Sequence, residues 1–179
     1  MELSKGRRVI GFKEETELLG SETMRLKVRL VAKGYSQKEG IDYNETFAPV
    51  IRMTILRLLF SMAVTLDWNI YHVDIKTAFL NAKLKEEVYV EQPEGFEQVG
   101  PAGEKLVCRL KKAIYGLKQS PRDWYDTLIS WMMDTNPDYK TGFKQSDNVP
   151  CLFYKTVGDK ILWCCIYVDD MLMAGDEKL

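Results

Sequence analysis

The sequence lacks several features that would set it apart from an ordinary globular protein. Its 179 residues contain no apolar run of the roughly 18–20 residues that a membrane helix needs, so no membrane partner is predicted. The stretch Met1–Arg8 is polar and lacks the apolar segment of a secretory signal. With one histidine and four cysteines of unpaired spacing, neither a zinc site nor a disulfide framework is expected. We therefore expect buried, reduced thiols and an intracellular protein.

Strong net charge is also missing. The formal net charge is −1, which does not by itself indicate a nucleic-acid binder. The charges are unevenly placed, because Lys83–Glu104 carries two lysines and six glutamates, whereas Lys105–Arg122 carries six basic residues and no acidic one. The basic segment is either a phosphate-contacting surface or a solvated face, and charge alone does not decide between them. Its candidate nucleic-acid contacts are Lys111, Lys112 and Arg122.

Alternating and helical patterns predict a mixture of strands and helices. Met24–Ala32 alternates as a half-buried strand, with Leu30 on the apolar face and both Lys27 and Arg29 on the basic face. An apolar stripe at helical spacing follows Thr54, which we predict to cap that helix. The stripe comprises Ile55, Leu58, Leu59, Met62, Ala63 and Leu66, and a second helix from Ser120 carries Trp124, Leu128, Trp131 and Met132. Helices packed on one antiparallel sheet are an α+β pattern.

Three aspartates stand out against this apolar background. Asp169 and Asp170 separate two apolar runs and are predicted at the turn of a β-hairpin. Such a pair can be a solvated turn, but between buried residues its repulsion is costly unless a cation lies nearby. Asp74 lies within the predicted strand Ile70–Ile75, where aspartate is depleted. A sheet that places this strand beside the hairpin would gather three oxygen ligands suited to Mg²⁺.

Seven blocks stand in a fixed order along the chain. They are Arg29–Gln37 (RLVAKGYSQ), Tyr43–Val50 (YNETFAPV), Val73–Asn81 (VDIKTAFLN), Tyr89–Phe96 (YVEQPEGF), Ala113–Pro121 (AIYGLKQSP), Trp124–Tyr125 and Tyr167–Asp170 (YVDD). Together they resemble the reverse-transcriptase domain of copia-type retrotransposon polyproteins. The resemblance implies a right-hand polymerase palm, an antiparallel sheet with packed helices, plus fingers elements over residues 25–179. Residues 1–24 stay unassigned, and the thumb and ribonuclease H regions are expected to be absent.

The resemblance also implies the chemistry of the aspartates. Asp74, Asp169 and Asp170 are the implied catalytic carboxylates and ligands of two Mg²⁺ ions, for which Mn²⁺ can substitute. The implied reaction is attack of a primer 3′-hydroxyl on the α-phosphate of a deoxynucleoside triphosphate, with RNA or DNA as template. Metal pairs of this kind stabilise in-line phosphoryl transfer.

A nucleotide site is implied as well. Phe79 matches the aromatic gate that lies against the sugar and excludes a 2′-hydroxyl, although it can also be read as a core residue. Tyr115, Lys118 and Gln119 match the segment that lines the incoming nucleotide and the template base, with Lys118 open to reading as a surface lysine. Lys27 and Arg29 match the fingers strand that holds the triphosphate, and the sequence leaves open which of them does so.

The sequence departs from the family pattern in places. Ile10–Leu19 replaces a Trp-Val-Phe-Lys strand, Val149 replaces an aspartate, and Asp134–Lys140 reads as extra residues. Because the chain ends nine residues after Asp170, we expect little activity from it in isolation. The alternative function is a non-catalytic remnant, either inert or binding RNA or protein through the basic segment. A functional element would place the chain in a cytoplasmic retrotransposon particle, with its oligomeric state open.

Overall fold

A computed structural model describes residues 9–19, 25–133 and 141–176, and the chain divides into two compact units. The first unit comprises Met1–Phe47 and Phe79–Asp123, and the second comprises Ala48–Ala78 and Trp124–Leu179. The strands are β1 (Val9–Ile10), β2 (Phe12–Leu19), β3 (Arg25–Ala32), β4 (Asn69–Asp74), β5 (Tyr89–Val90), β6 (Cys108–Arg109), β7 (Lys144–Gln145), β8 (Leu152–Val157), β9 (Lys160–Tyr167) and β10 (Asp170–Gly175). The helices are α1 (Met53–Thr65) and α2 (Ser120–Met132), with short 3₁₀ turns at Gly34–Ser36 and Ala78–Asn81.

The fold is mixed α+β, as predicted, but the strands of the described residues form three sheets rather than one. In the first unit β1 pairs in parallel with β5, β5 pairs antiparallel with β6, and β2 and β3 form a separate antiparallel pair. In the second unit β4, β10, β9, β8 and β7 form one antiparallel sheet in that order. The segment that the sequence pattern left unassigned thus contributes two strands to the first unit. The predicted extra residues, Asp134–Lys140, lie outside the described residues.

The core of the first unit fixes which face of β3 is covered. Val31 is 5% exposed, whereas Leu30 is 48% exposed, so the prediction that Leu30 lies on the buried face is wrong. The reason is that Gly116 lies against Val31, and the backbone N–H of Ala32 donates to the carbonyl of Tyr115 at 2.9 Å. Leu30 and Val31 are both apolar, so the alternation alone could not tell which of these two side chains would be covered. The buried cluster here consists of Ile10, Ala32, Val88, Val90 and Leu117.

Gly116 allows two backbone segments of this core to approach closely. Its φ is 89°, and a Cβ at this position would meet the carbonyl oxygen of Ala32. We expect Gly116→Ala to lower the free energy of unfolding by more than the roughly 1–2 kcal/mol that a left-handed alanine costs alone. The matched control is Gly95→Ala, where φ is 81° and no atom lies within 4 Å of an added Cβ. Equal losses for the two variants in chemical denaturation would contradict the close approach.

The sheet of the second unit has buried residues on both faces: Cys165 and Ala174 lie on the face of Asp170, and a longer buried row lies on the opposite face. Along β8, β9 and β10 the buried residues on this face are Phe153, Cys164, Ile166 and Met171, and α2 buries Trp124, Leu128 and Met132. Trp131 is partly exposed, so its prediction as part of the buried stripe is wrong. Helical spacing groups the four residues of the predicted α2 stripe, but the width of the surface that the helix packs on decides which of them are covered.

The cysteines largely match the prediction of buried thiols. Cys151, Cys164 and Cys165 are buried and free, whereas Cys108 is only partly buried. Burial raises the pKa of Cys164 to about 12, with a smaller contribution from the neighbouring Cys165 thiol. Burial likewise raises the pKa values of Cys151 and Cys165 to about 11. These three thiols therefore stay protonated near neutral pH and behave as small apolar side chains.

Helix α1 differs from its prediction in its start and in its buried face. It begins at Met53, and its N-cap residue, Arg52, makes no side-chain capping bond, so the predicted Thr54 cap is wrong. Of the predicted stripe, Leu59 and Ala63 are buried, but Leu58 is 56% exposed. Because α1 contacts the sheet of its unit through β10, it buries a narrower stripe than the apolar pattern suggests. In the described part of the chain, neither helix has the length and hydrophobicity to cross a membrane.

Candidate functional site

The register of the second-unit sheet brings two of the three aspartates together. Asp74, at the end of β4, is directly opposite Asp170, at the start of β10. The backbone N–H of Ile75 donates to the carbonyl of Asp169 at 2.9 Å, a bond that flanks this pair. The pair is thus of the non-hydrogen-bonded type, in which opposite Cα atoms lie about 4.5 Å apart and side chains are closest. The prediction that the Asp74 strand lies beside the hairpin is confirmed.

The hairpin itself is shifted by one residue from its prediction. Tyr167 pairs with Asp170, so the two loop residues are Val168 and Asp169, and the placement of Asp170 in the turn is wrong. Val168 has a φ of 57°, a left-handed conformation that is unusual for a β-branched residue. Such strain costs on the order of 1–3 kcal/mol and persists only where the surroundings enforce it. The sequence pattern missed this shift because Val168 continues the apolar run of β9.

A tryptophan side chain supports this strained loop. Trp124, buried in α2, donates its indole N–H to the carbonyl of Val168 at 2.8 Å. The sequence indicated Trp124 only as a member of an apolar stripe, because spacing cannot reveal where an indole N–H points. The bond fixes the position of the loop that carries Asp169.

We expect Trp124→Phe to lower the free energy of unfolding by about 1–3 kcal/mol, because the Val168 carbonyl loses its buried donor. Chemical denaturation followed by circular dichroism would measure this loss. The matched control is Trp131→Phe in the same helix, where the side chain is partly exposed and a change within about 0.5 kcal/mol is expected. Equal effects for both variants would contradict the role of the indole bond.

The electrostatics of the aspartate pair are unfavourable by themselves. Two like charges directly opposite on one sheet face destabilise an antiparallel pair. The chain's one histidine relieves part of this, since His72 Nε2 lies 2.8 Å from Asp170 Oδ1. An ionised carboxylate can only accept, so Nε2 is the donor. Alternation along the predicted strand Ile70–Ile75 puts His72 on the face of Asp74, but the sequence gave no sign of this cross-strand contact.

The carboxylates are adjacent without forming a converged cluster. No group of three His, Cys, Asp or Glu side chains that could hold a metal ion occurs within the described residues. The register accounts for the Asp74–Asp170 pairing, while Asp169 lies in the loop next to it. The donors are all carboxylate oxygens, the ligand type that Mg²⁺ and Mn²⁺ prefer.

A mostly apolar cavity of about 280 Å³ adjoins Asp170 and His72. Its other walls come from the residues around the start of α1 and from the sheet face, namely Ile51, Met53, Leu56, Cys165, Tyr167 and Leu172. Asp170 therefore has an apolar surface on one side. The Asp170 side chain is 51% exposed, so the other side of its carboxylate faces solvent.

In the first unit, three of the predicted nucleotide-site residues lie together. The rings of Phe79 and Tyr115 are 4.8 Å apart at a tilt of 59°, and the Arg29 guanidinium lies 5.9 Å from the Tyr115 ring centre. Among the side chains of β3 that the structure describes, Arg29 reaches this aromatic pair. The backbone of Lys27 lies two residues earlier in β3, opposite Glu17, and its side chain lies outside the described residues.

The other two predicted nucleotide residues are tied into the first unit itself. Gln119 is 1% exposed, accepts from the Gln37 side-chain amide at 2.9 Å and donates to the Asp42 carbonyl at 3.0 Å. The Lys118 ammonium lies 3.3 Å from both the Gln37 carbonyl and the Tyr43 hydroxyl. Gln37 also accepts the backbone N–H of Lys118 at 2.8 Å. These bonds join the RLVAKGYSQ and AIYGLKQSP blocks, and sequence reasoning did not single out Gln37.

Arg122 is bound to the chain segment ahead of the second unit. Its guanidinium donates to the Phe47 carbonyl at 3.1 Å. Backbone N–H groups of Phe47 and then Thr46 hold the pKa of the exposed Glu45 carboxyl below its usual value, with a smaller contribution from Arg122. Arg122 therefore has an anionic neighbour of its own, which offsets part of the positive charge available to a nucleic acid.

The rest of the basic segment is also mixed in character. Arg109 pairs with Glu87 at 2.8 Å, and together with Lys111 they line a cleft of about 600 Å³. Lys111 and Lys112 are exposed. Of the three predicted nucleic-acid contacts, these two lysines present their charge to solvent most directly, while the surface around them is not uniformly basic.

Comparison with known proteins decides the family. A family model described as reverse transcriptase (RNA-dependent DNA polymerase) matches residues 1–179. The chain belongs to the reverse transcriptase family. No solved structure matches it significantly.

The relatives of this reverse transcriptase chain are retrotransposon polyproteins. It is 41% identical to the retrovirus-related Pol polyprotein from transposon TNT 1-94 of Nicotiana tabacum, over 99% of this chain and 13% of that protein. It is 44% identical to the Pol polyprotein from transposon RE2 of Arabidopsis thaliana, over 87% of this chain and 10% of that protein. With the Gag-Pol polyprotein of transposon Ty1-H from Saccharomyces cerevisiae the identity is 32%, over 84% of this chain and 8% of that protein.

These matches confirm the resemblance to copia-type retrotransposon reverse transcriptases. The family match also covers β1 and β2, which lie in the segment that the sequence pattern left unassigned. The reverse transcriptase chain spans about a tenth of the length of the curated relatives it matches.

Proposed function

We propose that the chain carries the polymerase site of a copia-type retrotransposon reverse transcriptase, an RNA-directed DNA polymerase. The observation that carries this proposal is the register that sets Asp74 opposite Asp170, beside the strained loop that holds Asp169. In the terms of the family, the antiparallel sheet of the second unit is the palm, and the first unit supplies fingers elements. The reaction extends a primer 3′-hydroxyl with deoxynucleoside triphosphates on an RNA or DNA template.

The three aspartates have the chemistry that this reaction requires. Asp74 and Asp170 project from one sheet face, and with Asp169 they offer hard oxygen donors for Mg²⁺, or for Mn²⁺ in its place. When bound, such ions supply positive charge that lowers the pKa of the attacking hydroxyl and stabilises the charge on the phosphate. The chain's own contribution is to hold the carboxylates together, through the two-residue loop, the Trp124 bond and the paired strands.

The first unit would handle the nucleotide. Arg29 presents its charge to a triphosphate, and Phe79 lies against the sugar with Tyr115 packed on it. Lys27 and Lys118 remain further candidates for phosphate or base contact. Gln119 would contribute indirectly, because the hydrogen bonds of its buried amide hold in place the segment that carries Lys118. The template–primer would meet Lys111, Lys112 and Arg122.

Primer extension tests this proposal. The chain and a longer polyprotein product containing it would be incubated with an RNA template, a DNA primer, deoxynucleotides and Mg²⁺. We expect template-dependent extension by the longer product and little by the chain alone. With a net charge of −1, the chain provides little long-range attraction for a nucleic acid, and binding through phosphate contacts falls steeply with salt. Binding of RNA without extension by the longer product would support the alternative of a non-catalytic remnant.

In an active element the protein would work inside a cytoplasmic particle.

A further inference from the structure

We infer that His72 is a positioning residue that orients the Asp170 carboxylate for metal binding. This inference rests on the proposed function, since it concerns how the carboxylates of that site are held. The observation that supports the inference is the distance of 2.8 Å between His72 Nε2 and Asp170 Oδ1.

The sheet geometry aims the imidazole at Asp170. His72 and Asp74 are two residues apart on β4, so both side chains leave the same sheet face. Their partners on β10 are Leu172 and Asp170, which makes His72 the diagonal neighbour of Asp170. Diagonal neighbours of this kind are within reach of a long side chain. The contact therefore follows from the register that pairs the aspartates.

The contact gives the two oxygens of the Asp170 carboxylate different roles. The imidazole N–H occupies Oδ1 and fixes the rotation of the carboxylate, which leaves Oδ2 as the oxygen to bind a cation. Carboxylates that bind metals are generally held by such outer hydrogen bonds, and loss of the partner typically lowers metal affinity about 10–100-fold. The donor also offsets the repulsion between Asp74 and Asp170.

Exposure separates this role from a merely structural one. The side chains of His72 and Asp170 are 62% and 51% exposed, and so exposed a pair contributes little to stability. A structural role would therefore leave almost nothing to measure. If His72 positions the Asp170 carboxylate, its substitution should lower the affinity for a metal ion without lowering the stability of the folded state.

Binding of Mn²⁺ to the full chain, followed by electron paramagnetic resonance, tests the inference without any activity measurement. His72→Leu removes the donor and places an apolar side chain beside the apolar cavity. We expect the apparent Kd for Mn²⁺ to rise about tenfold. His72→Gln keeps an N–H donor at similar reach, and we expect a Kd within about twofold to threefold of the unaltered chain. Ile70→Ala, on the same face of β4 opposite Ala174, is the matched control and should leave the Kd unchanged.

The outcomes separate this inference from the proposed function. Unaltered Mn²⁺ affinity in His72→Leu, or equal losses in His72→Leu and His72→Gln, would overturn the positioning role. In either case weaker binding in Asp74→Asn and Asp170→Asn would leave the proposed function standing. If those two substitutions also leave Mn²⁺ binding unchanged, or if the unaltered chain shows no saturable binding, the metal site itself is refuted.

Discussion

Substitution of Asp74 or Asp169 by asparagine is expected to lower the rate of primer extension by at least ~10²–10³-fold, the scale of losing one main electrostatic element of a catalytic site. The measurement is single-nucleotide incorporation by the longer polyprotein product described above. Asparagine keeps the size of the side chain and one oxygen, so the loss reports on charge. Near-normal extension by the Asp169→Asn protein would remove that residue from the site.

Folding should survive these substitutions. Because Asp74 faces Asp170 across the sheet, removal of one charge relieves repulsion, and Asp74→Asn should leave the free energy of unfolding equal or raise it by roughly 0.2–1 kcal/mol. Asp159→Asn is the matched control, since Asp159 lies in the turn between β8 and β9 of the same sheet. We expect that variant to extend primers normally. A similar loss of activity there would point to general damage to the sheet.

Phe79→Val is expected to admit ribonucleotides while leaving the use of deoxynucleotides largely intact. The smaller side chain removes the contact with a 2′-hydroxyl, and even a single methylene in such a pocket alters selectivity about 10–200-fold. The ratio of kcat/KM for a deoxynucleotide and its ribonucleotide, opposite the same template base, measures the change. The motivating observations are the position of Phe79 five residues after Asp74 and its packing on Tyr115.

The competing interpretation of Phe79 as a core residue gives a different result. In that case Phe79→Val lowers stability through lost contact with Tyr115, and the selectivity ratio does not move. Phe96→Val serves as the matched control, because Phe96 is a well-exposed phenylalanine of the same unit. It should change neither stability nor selectivity.

Local patterns in the sequence were enough to predict most elements of the second unit. The apolar runs on either side of the aspartates predicted β9 and β10, and the alternation before Asp74 predicted β4. That these strands are neighbours could be expected because three carboxylates in apolar surroundings need a common cation. The actual register, with Asp74 opposite Asp170, depends on a two-residue loop whose first residue is valine. No propensity favours valine there, so the loop could not be read from sequence.

What the sequence could not provide was the direction of polar side chains. Gln119 is predicted to line the nucleotide site, yet its amide is buried in bonds to Gln37 and Asp42, which lie far from it in sequence. His72 and Trp124 matched the patterns of a strand and a helix, and their hydrogen bonds to the hairpin depend on tertiary packing. The roles of Lys118 and Gln119 toward a nucleotide stay predictions.

The tight loop between β9 and β10 makes the site more sensitive to the length of the loop than to the identity of the side chain at Val168. Because strand side chains alternate between faces, one inserted residue between Tyr167 and Asp170 would turn every later side chain of β10 over. If the loop kept two residues, Asp170 would then lie opposite Ile166 and point into the apolar layer, and the residue before Asp170 would lie beside Asp74. Among related elements, we therefore expect substitutions at Val168 to occur far more often than insertions or deletions in this loop.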